Sequence, residues 1–394
     1  MPSSFLLGLL LAAGLGGMHD LRAAETRAAA TTAEPEAIRP TGQQDADLAL
    51  MRPWHLAKGR VLDEHLQALA ARGDPRSLLA AALLWPSVEG WRQIHGPTLA
   101  GGSGPDGAWL RAAAAARPRD PRVAWLEVSG CRPGWECDPA AARAFLLESA
   151  PDDMSVQLMA LADAYHRGDE AAAANHLHAA ARAPRRSLPV VDMGRLLLES
   201  IAPVEAPPMS PAVAAAAGRL LQLNRPATAG EAFGLDTLAV WAALPMPAYQ
   251  PLGRLCDATT ALPEGRREDC LQVMARLADS PVMIDALIGT VRGVRLAGDG
   301  EAAPAWRERL RQLYWVYENS TRLVSGQAGA PLPADYIERL LGEGDRIALE
   351  QVLAANALPL QAPAGWLPTD ARMRGLVQDG REPAPAVSMS PSAR

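Results

Sequence analysis

Apolar side chains recur along this chain every three to four residues. Val61, Leu62, Leu66 and Leu69 form one such stripe. Trp306, Leu310, Leu313, Tyr314 and Tyr317 form another, with Arg307, Glu308, Arg309 and Arg311 on the opposite side. Tyr336, Ile337, Leu340 and Leu341 open a third, answered by Ile347, Val352 and Leu353. This spacing gathers apolar groups on one face of an α-helix, where burial against a neighbouring helix stabilises it. No segment alternates long enough to predict a strand. The pattern therefore predicts an all-α chain.

The punctuation between stripes predicts how the helices connect. Gly-Asp recurs at Gly73-Asp74, Gly168-Asp169, Gly298-Asp299 and Gly344-Asp345, each time after an apolar run. Glycine tolerates the left-handed conformation that closes a helix. The aspartate side chain accepts hydrogen bonds from the free amides that open the next one. Asp74-Pro75, Asp120-Pro121 and Asp138-Pro139 add proline at the first helical position, where its missing N–H costs nothing. The prediction is antiparallel helical hairpins joined by tight turns and stacked as an α-solenoid, with irregular intervals that make any repeat degenerate.

One hairpin carries a resemblance. Asp152 to Leu158, Leu161, Ala162, Ala164, Tyr165, Gly168-Asp169, Ala173, Leu177, Ala180 and Pro184 resemble a tetratricopeptide repeat over residues 152–183, with a first turn one residue shorter. The resemblance covers about a tenth of the chain, because other hairpins match less well. It implies a stacked array whose inner helix face binds a protein or peptide.

Composition narrows the function. The 394 residues carry a net charge of -6, and the basic residues are scattered, never more than two in succession. No basic stripe suits a phosphate backbone, so nucleic acid is not an expected partner. Lys58 is the only lysine. Gly59 follows it and no glycine-rich loop precedes it, which excludes a Walker-type phosphate cradle. His55 stands where a Ser-x-x-Lys nucleophile would need serine. Lys58 itself reads as part of an exposed helix start, a poor place for a Schiff base.

Phe5 to Leu15 is an apolar run too short for the roughly 20 residues of a membrane span and suited to a signal-peptide core, although Met1 to Ser4 lacks a basic residue. Cys131, Cys137, Cys256 and Cys270 form two sequence-local pairs. Their even number and short spacing predict disulfides 131–137 and 256–270 in an exported chain. Each would contribute about 2 to 3 kcal/mol through loop-closure entropy. The segment from Asp257 to Asp269 reads as a polar loop, with Cys270 opening the following helix. The expected organisation is a signal peptide at 1–24, a flexible leader at 25–50, helical halves at 51–205 and 206–377, and a disordered tail at 378–394. Pro203 to Pro211 marks the break between halves. The expected location is the periplasm or the exterior, with no membrane span once the signal is removed.

Candidate chemistry is sparse. His166, His176 and His178 lie near one turn with Asp163, but metal binding needs convergent ligands with supporting partners, and polar turn residues account for them. Glu199-Ser200, Leu221-Gln222-Leu223 and Pro226-Ala227-Thr228-Ala229 resemble a stretched lytic transglycosylase signature. That resemblance implies Glu199 as general acid/base on a peptidoglycan glycosidic bond; no Tyr-Asn-Ala-Gly match follows. Gly101 to Pro105 has proline where a nucleophile elbow needs its second glycine, and reads as a loop. Ten tryptophans accompany three phenylalanines. Trp85, Trp91, Trp109, Trp125 and Trp135 cluster in the first half as a candidate binding surface, since tryptophan is enriched at binding hot spots. The expectation is a non-catalytic helical-repeat protein, without cofactor or metal, that binds a protein or peptide; the alternative is the glycan-cleaving enzyme built on Glu199.

Overall fold

The computed structural model describes residues 42–95, 104–131, 135–221, 223, 225–245, 247, 249–325 and 332–382, the side chains of 89–95 excepted. The expected signal peptide, most of the leader and the end of the tail lie outside these residues. Seventeen helices and no strand occur among the described residues. In chain order they begin with α1 (Gly42–Ala70), α2 (Pro75–His95), α3 (Asp106–Ala115), α4 (Pro121–Ser129) and α5 (Pro139–Ser149). The hairpin α6 (Met154–His166) and α7 (Glu170–Arg182) follows, then α8 (Pro189–Ile201), α9 (Pro211–Leu220) and α10 (Ala229–Ala242). The chain continues with α11 (Tyr249–Leu255), α12 (Glu264–Ala278), α13 (Met283–Ala297) and α14 (Ala303–Val324). It closes with α15 (Tyr336–Gly342), α16 (Asp345–Ala355) and α17 (Ala371–Asp379).

Successive helices pack as stacked hairpins in a solenoid-like, all-α fold: α1 on α2, α4 on α5, α6 on α7, α12 on α13 and α15 on α16. The Gly-Asp turns explain the sharp reversals. Gly73 and Gly168 have φ of 73° and 75°, a conformation that a β-carbon disfavours. Asp74 then accepts the Ser77 amide and Asp169 the Ala172 amide, each at 2.9 Å. Asp120 and Asp138 cap α4 and α5 in the same way. The other two aspartates serve differently. Asp299 pairs with Arg381 on the surface, and Asp345 accepts the amide of Met283, sixty-two positions away, at 2.7 Å.

The stack also returns on itself. Helix α9 packs on α1, α8 on α15, and α7 on α12. Gly194 permits the α8–α15 approach, since a β-carbon there would lie 2.1 Å from the Leu341 carbonyl oxygen. The break at 203–211 does separate α8 from α9, but one apolar cluster runs from Leu62 and Leu79 through Leu197 to Leu310 and Leu376. Residues of both expected halves contribute to this cluster.

Four boundaries and environments differ from expectation. The leader does not reach residue 50, because α1 already starts at Gly42, where Asp47 is buried and held by Arg219 at 2.6 Å. The tail does not begin at 378: α17 runs to Asp379, and Glu382 meets Arg372 at 2.8 Å and Arg295. Cys270 lies inside α12, which opens at Glu264 just after Pro263; that proline precedes a helix where proline is tolerated, so only 257–263 form the loop. Lys58 is not exposed. It sits on the buried stripe Met51, Trp54, Lys58, Leu62, Leu66 and Leu69 of α1, with 1% of its side chain exposed. Its Nζ lies 2.7 Å from Asp236 Oδ2 on α10 and 5.2 Å from the Trp54 ring centroid.

Both predicted disulfides are present, with Cα–Cα separations of 6.1 Å for 131–137 and 5.7 Å for 256–270. No helix among the described residues is long and apolar enough to cross a membrane.

Candidate functional site: an apolar cleft beside Trp125

Helices α4, α5, α6, α11, α12 and α13, with the segment 186–190 that leads into α8, enclose a cleft of about 310 Å³. Each wall follows from local folding. On α6, Leu158, Met159 and Ala162 share a face that the hairpin with α7 leaves open, while Leu161 and Ala164 turn into the core. Trp125 and Val128 project from α4, and Leu252 from the short α11. The segment after α7 is pinned as a wall: Met154 donates its amide to the Arg185 carbonyl at 2.9 Å, and Ser187 donates its amide to Asp153 at 2.7 Å. Ser155 spends its hydroxyl proton on the Ser187 carbonyl at 2.7 Å.

The floor is polar and internally satisfied. Asp285, 5% exposed, accepts hydrogen bonds from Arg186, from the Tyr249 hydroxyl and, at 3.0 Å, from the Ser280 hydroxyl. Arg186 also donates to the Arg276 carbonyl at 2.7 Å. Burial pushes the Asp285 carboxyl up, although Arg186 beside it pulls the other way. Burial raises the Tyr249 phenol well above its ordinary value, and Asp285 reinforces the shift. At the mouth, Arg143 meets Asp163 at 2.8 Å, and Arg167 pairs with the same carboxylate. A cleft with apolar sides and ion pairs at its ends suits an apolar guest, because Arg143 and Arg186 are drawn to Asp163 and Asp285.

A second carboxyl, half-buried, adjoins the floor. Burial pushes Asp345 up to about 6, against the opposing pull of the Met283 amide, with Asp285 adding repulsion. A folded-state value above the unfolded one means that the folded protein favours the protonated form. That stability is fully present below the unfolded value of 3.8 and is lost as pH rises through about 6. Asp345→Asn keeps an acceptor for Met283 and should shrink the fall in stability between pH 4 and pH 7 by about 2 kcal/mol. Urea unfolding at both pH values measures it; an undiminished fall would show that Asp345 titrates normally.

The sequence candidates are scattered relative to this cleft. Trp125 lines it, but Trp85 and Trp135 are buried, at 4% and 7% exposure. Trp109 packs against Trp85 with ring centroids 5.4 Å apart, and Trp135 donates to Asp106 at 2.8 Å. These three are packing residues, since the indole area is spent on neighbouring helices. The Trp91 side chain lies outside the described residues. The four cysteines form the two disulfides, with Cys256 and Cys270 in the core cluster that backs Leu252.

His166 lines the cleft on its exposed side, whereas His176 Nδ1 lies 2.8 Å from Gln157 and His178 Nδ1 lies 3.0 Å from Asp269. Burial, with Arg167 nearby, holds His176 below its ordinary value. No group of three or more histidine, cysteine, aspartate or glutamate side chains that could hold a metal occurs among the described residues. Glu199 is 60% exposed and ion-paired with Arg76, without the apolar surroundings that keep a carboxylic acid protonated for catalysis. Leu158 and Ala162 stood in the repeat-like motif, but Arg186, Tyr249 and Asp285 carried no spacing signal. Asp285 was legible only as an acid set among Met283, Ala286 and Leu287. The chain matches no protein-family model, no curated protein and no solved structure, so the residues of the cleft carry the functional reading.

Proposed function

We propose that this protein is an exported, tetratricopeptide-like scaffold that binds a protein or peptide partner in the Trp125 cleft, without catalysis. The observation that carries this reading is the pairing of a small apolar chamber with an indole at its rim and ion pairs at both ends. Such a chamber buries one or two apolar side chains, and its volume is at the lower limit of roughly 300 Å³ for small-molecule sites. The two disulfides support an oxidising compartment. A signal peptide at the N-terminus and a periplasmic or secreted location complete the proposal.

Selection from a phage-displayed peptide library tests it. The oxidised protein should enrich peptides sharing an apolar position. Ala162→Trp, which fills the chamber, should abolish the enrichment while helicity is retained. Trp125→Ala is the milder companion should the larger side chain disturb folding, and it should weaken the selected peptides about tenfold. Equal enrichment by the wild type and both variants would remove the cleft from the account.

A further inference from the structure

Exposed apolar side chains concentrate on one helix. Helix α1 packs on α2 and α9, and Met51, Trp54, Lys58 and Leu62 form its buried side. The opposite side of a surface helix is ordinarily polar. On α1 it is not. At about 100° per residue, Ala46, Ala49, Leu50, Pro53 and Leu56 fall along one line down that side, and all five are exposed. Leu50 and Leu56 are 41% and 39% exposed, two of the three exposed large apolar side chains among the described residues. Charge appears only at the ends of the stripe, with Asp45 beside its start and Arg60 and Glu64 beyond Leu56. None of these three has an ion-pair partner among the described residues.

The spacing along the stripe is symmetric about Pro53. Two copies of α1 laid antiparallel across a two-fold axis at Pro53 bring together residues equally distant from it. Leu50 of each copy then meets Leu56 of the other. Arg60 falls opposite Ala46, within reach of Asp45 one residue away. Glu64 falls opposite Gly42, at the N-terminal end of the helix, where negative charge is favoured. A parallel pairing would instead set Arg60 against Arg60 and Glu64 against Glu64. Binding an unrelated protein would not require a spacing that repeats itself about one residue.

We propose that this stripe is the contact of a symmetric dimer, in which α1 of one copy lies antiparallel on α1 of another. The inference goes beyond the peptide-binding reading and does not depend on it, because no residue of α1 lines the cleft. Each copy brings its own cleft, and a partner with two binding segments gains by engaging both. From Gly42 to Glu64 the stripe is about 34 Å long. A single pair of helices of that length makes a small interface, so association belongs in the micromolar range.

Sedimentation equilibrium of the purified, oxidised protein tests the inference. The weight-average mass should rise from one copy towards two as concentration passes through the micromolar range. Leu50→Glu with Leu56→Glu should weaken association roughly a hundredfold. Helicity and melting temperature should not change, since both side chains already face water. Asp45→Arg and Arg60→Glu should each weaken association about tenfold. Combined, they should restore it, because the pairs form again with their signs exchanged. A single copy at every concentration would overturn the proposal. So would a dimer that the leucine exchanges leave intact, or charge exchanges whose losses simply add. A monomer destabilised by the leucine exchanges would show that the chain covers its own stripe, and would overturn the proposal as well.

Discussion

Replacing Asp236 by alanine should lower the stability of the fold by about 3 kcal/mol, the cost of taking one partner from a buried ion pair. Lys58 makes this expectation unusual. Its ammonium lies 2.7 Å from Asp236 of α10 and near the face of Trp54, with 1% of the Lys58 side chain exposed. Removing the carboxylate leaves a cation in a site that water reaches poorly, so the loss exceeds that of an exposed pair, which is about 1 kcal/mol or less. Replacing Lys58 by methionine and Asp236 by leucine together removes both charges, and should recover most of the loss. Urea unfolding followed by circular dichroism measures both. Because Lys58 is the only lysine, the chain's one ε-amine also reports on burial. An amine reagent should modify it in the folded protein no faster than the fold opens. Prompt labelling of the Lys58 peptide under native conditions would contradict the burial of Lys58 beside Asp236.

Removing the 256–270 disulfide, as Cys256→Ala with Cys270→Ala, should cost about 3 kcal/mol, whereas removing 131–137 should cost about 2 kcal/mol. The larger ring releases more unfolded-state entropy when opened. Position adds to the difference. Cys256 and Cys270 are 2% and 0% exposed, in the cluster that joins α7, α11 and α12. Helix α11 is short and supplies Tyr249 and Leu252 to the cleft, so the bridge also fixes one wall of the site. Cys131 is exposed, and a mild reductant should open its bridge first. Thermal or urea unfolding of the two double variants decides the order, and peptide affinity should fall for the 256–270 variant alone. Equal losses, or earlier reduction of the buried bridge, would contradict this account.

What could be read beforehand followed from local physics. Helical stripes, aspartate caps and glycine reversals depend on residues a few positions apart, and α6, α7 and α14 lie where those signals put them. The disulfides were legible because both partners are close in sequence. Lys58 was misread for the opposite reason: a lone charge suggests a surface, and its partner Asp236 lies on a helix far along the chain. Pro263 was read as a loop residue because proline breaks a helix interior, although it precedes α12. The cleft was least legible. Its walls come from six helices and the segment that leads into α8, and Arg186, Tyr249 and Asp285 converge only after α7 packs on α12 and α11 on α6. Tryptophan count singled out five residues, yet burial removes Trp85 and Trp135 from any accessible surface and leaves Trp125 on the cleft.

The occupant of the cleft can be located directly by fluorine NMR of protein carrying 5-fluorotryptophan, with the Trp125 resonance assigned by a Trp125→Phe variant. Titration with a library-selected peptide should shift or broaden the Trp125 resonance in proportion to occupancy, and leave those of Trp54 and Trp315, buried at 5% and 7% exposure, in place. A saturable shift at another tryptophan, with Trp125 silent throughout, would contradict the claim that this cleft is where the protein binds its partner.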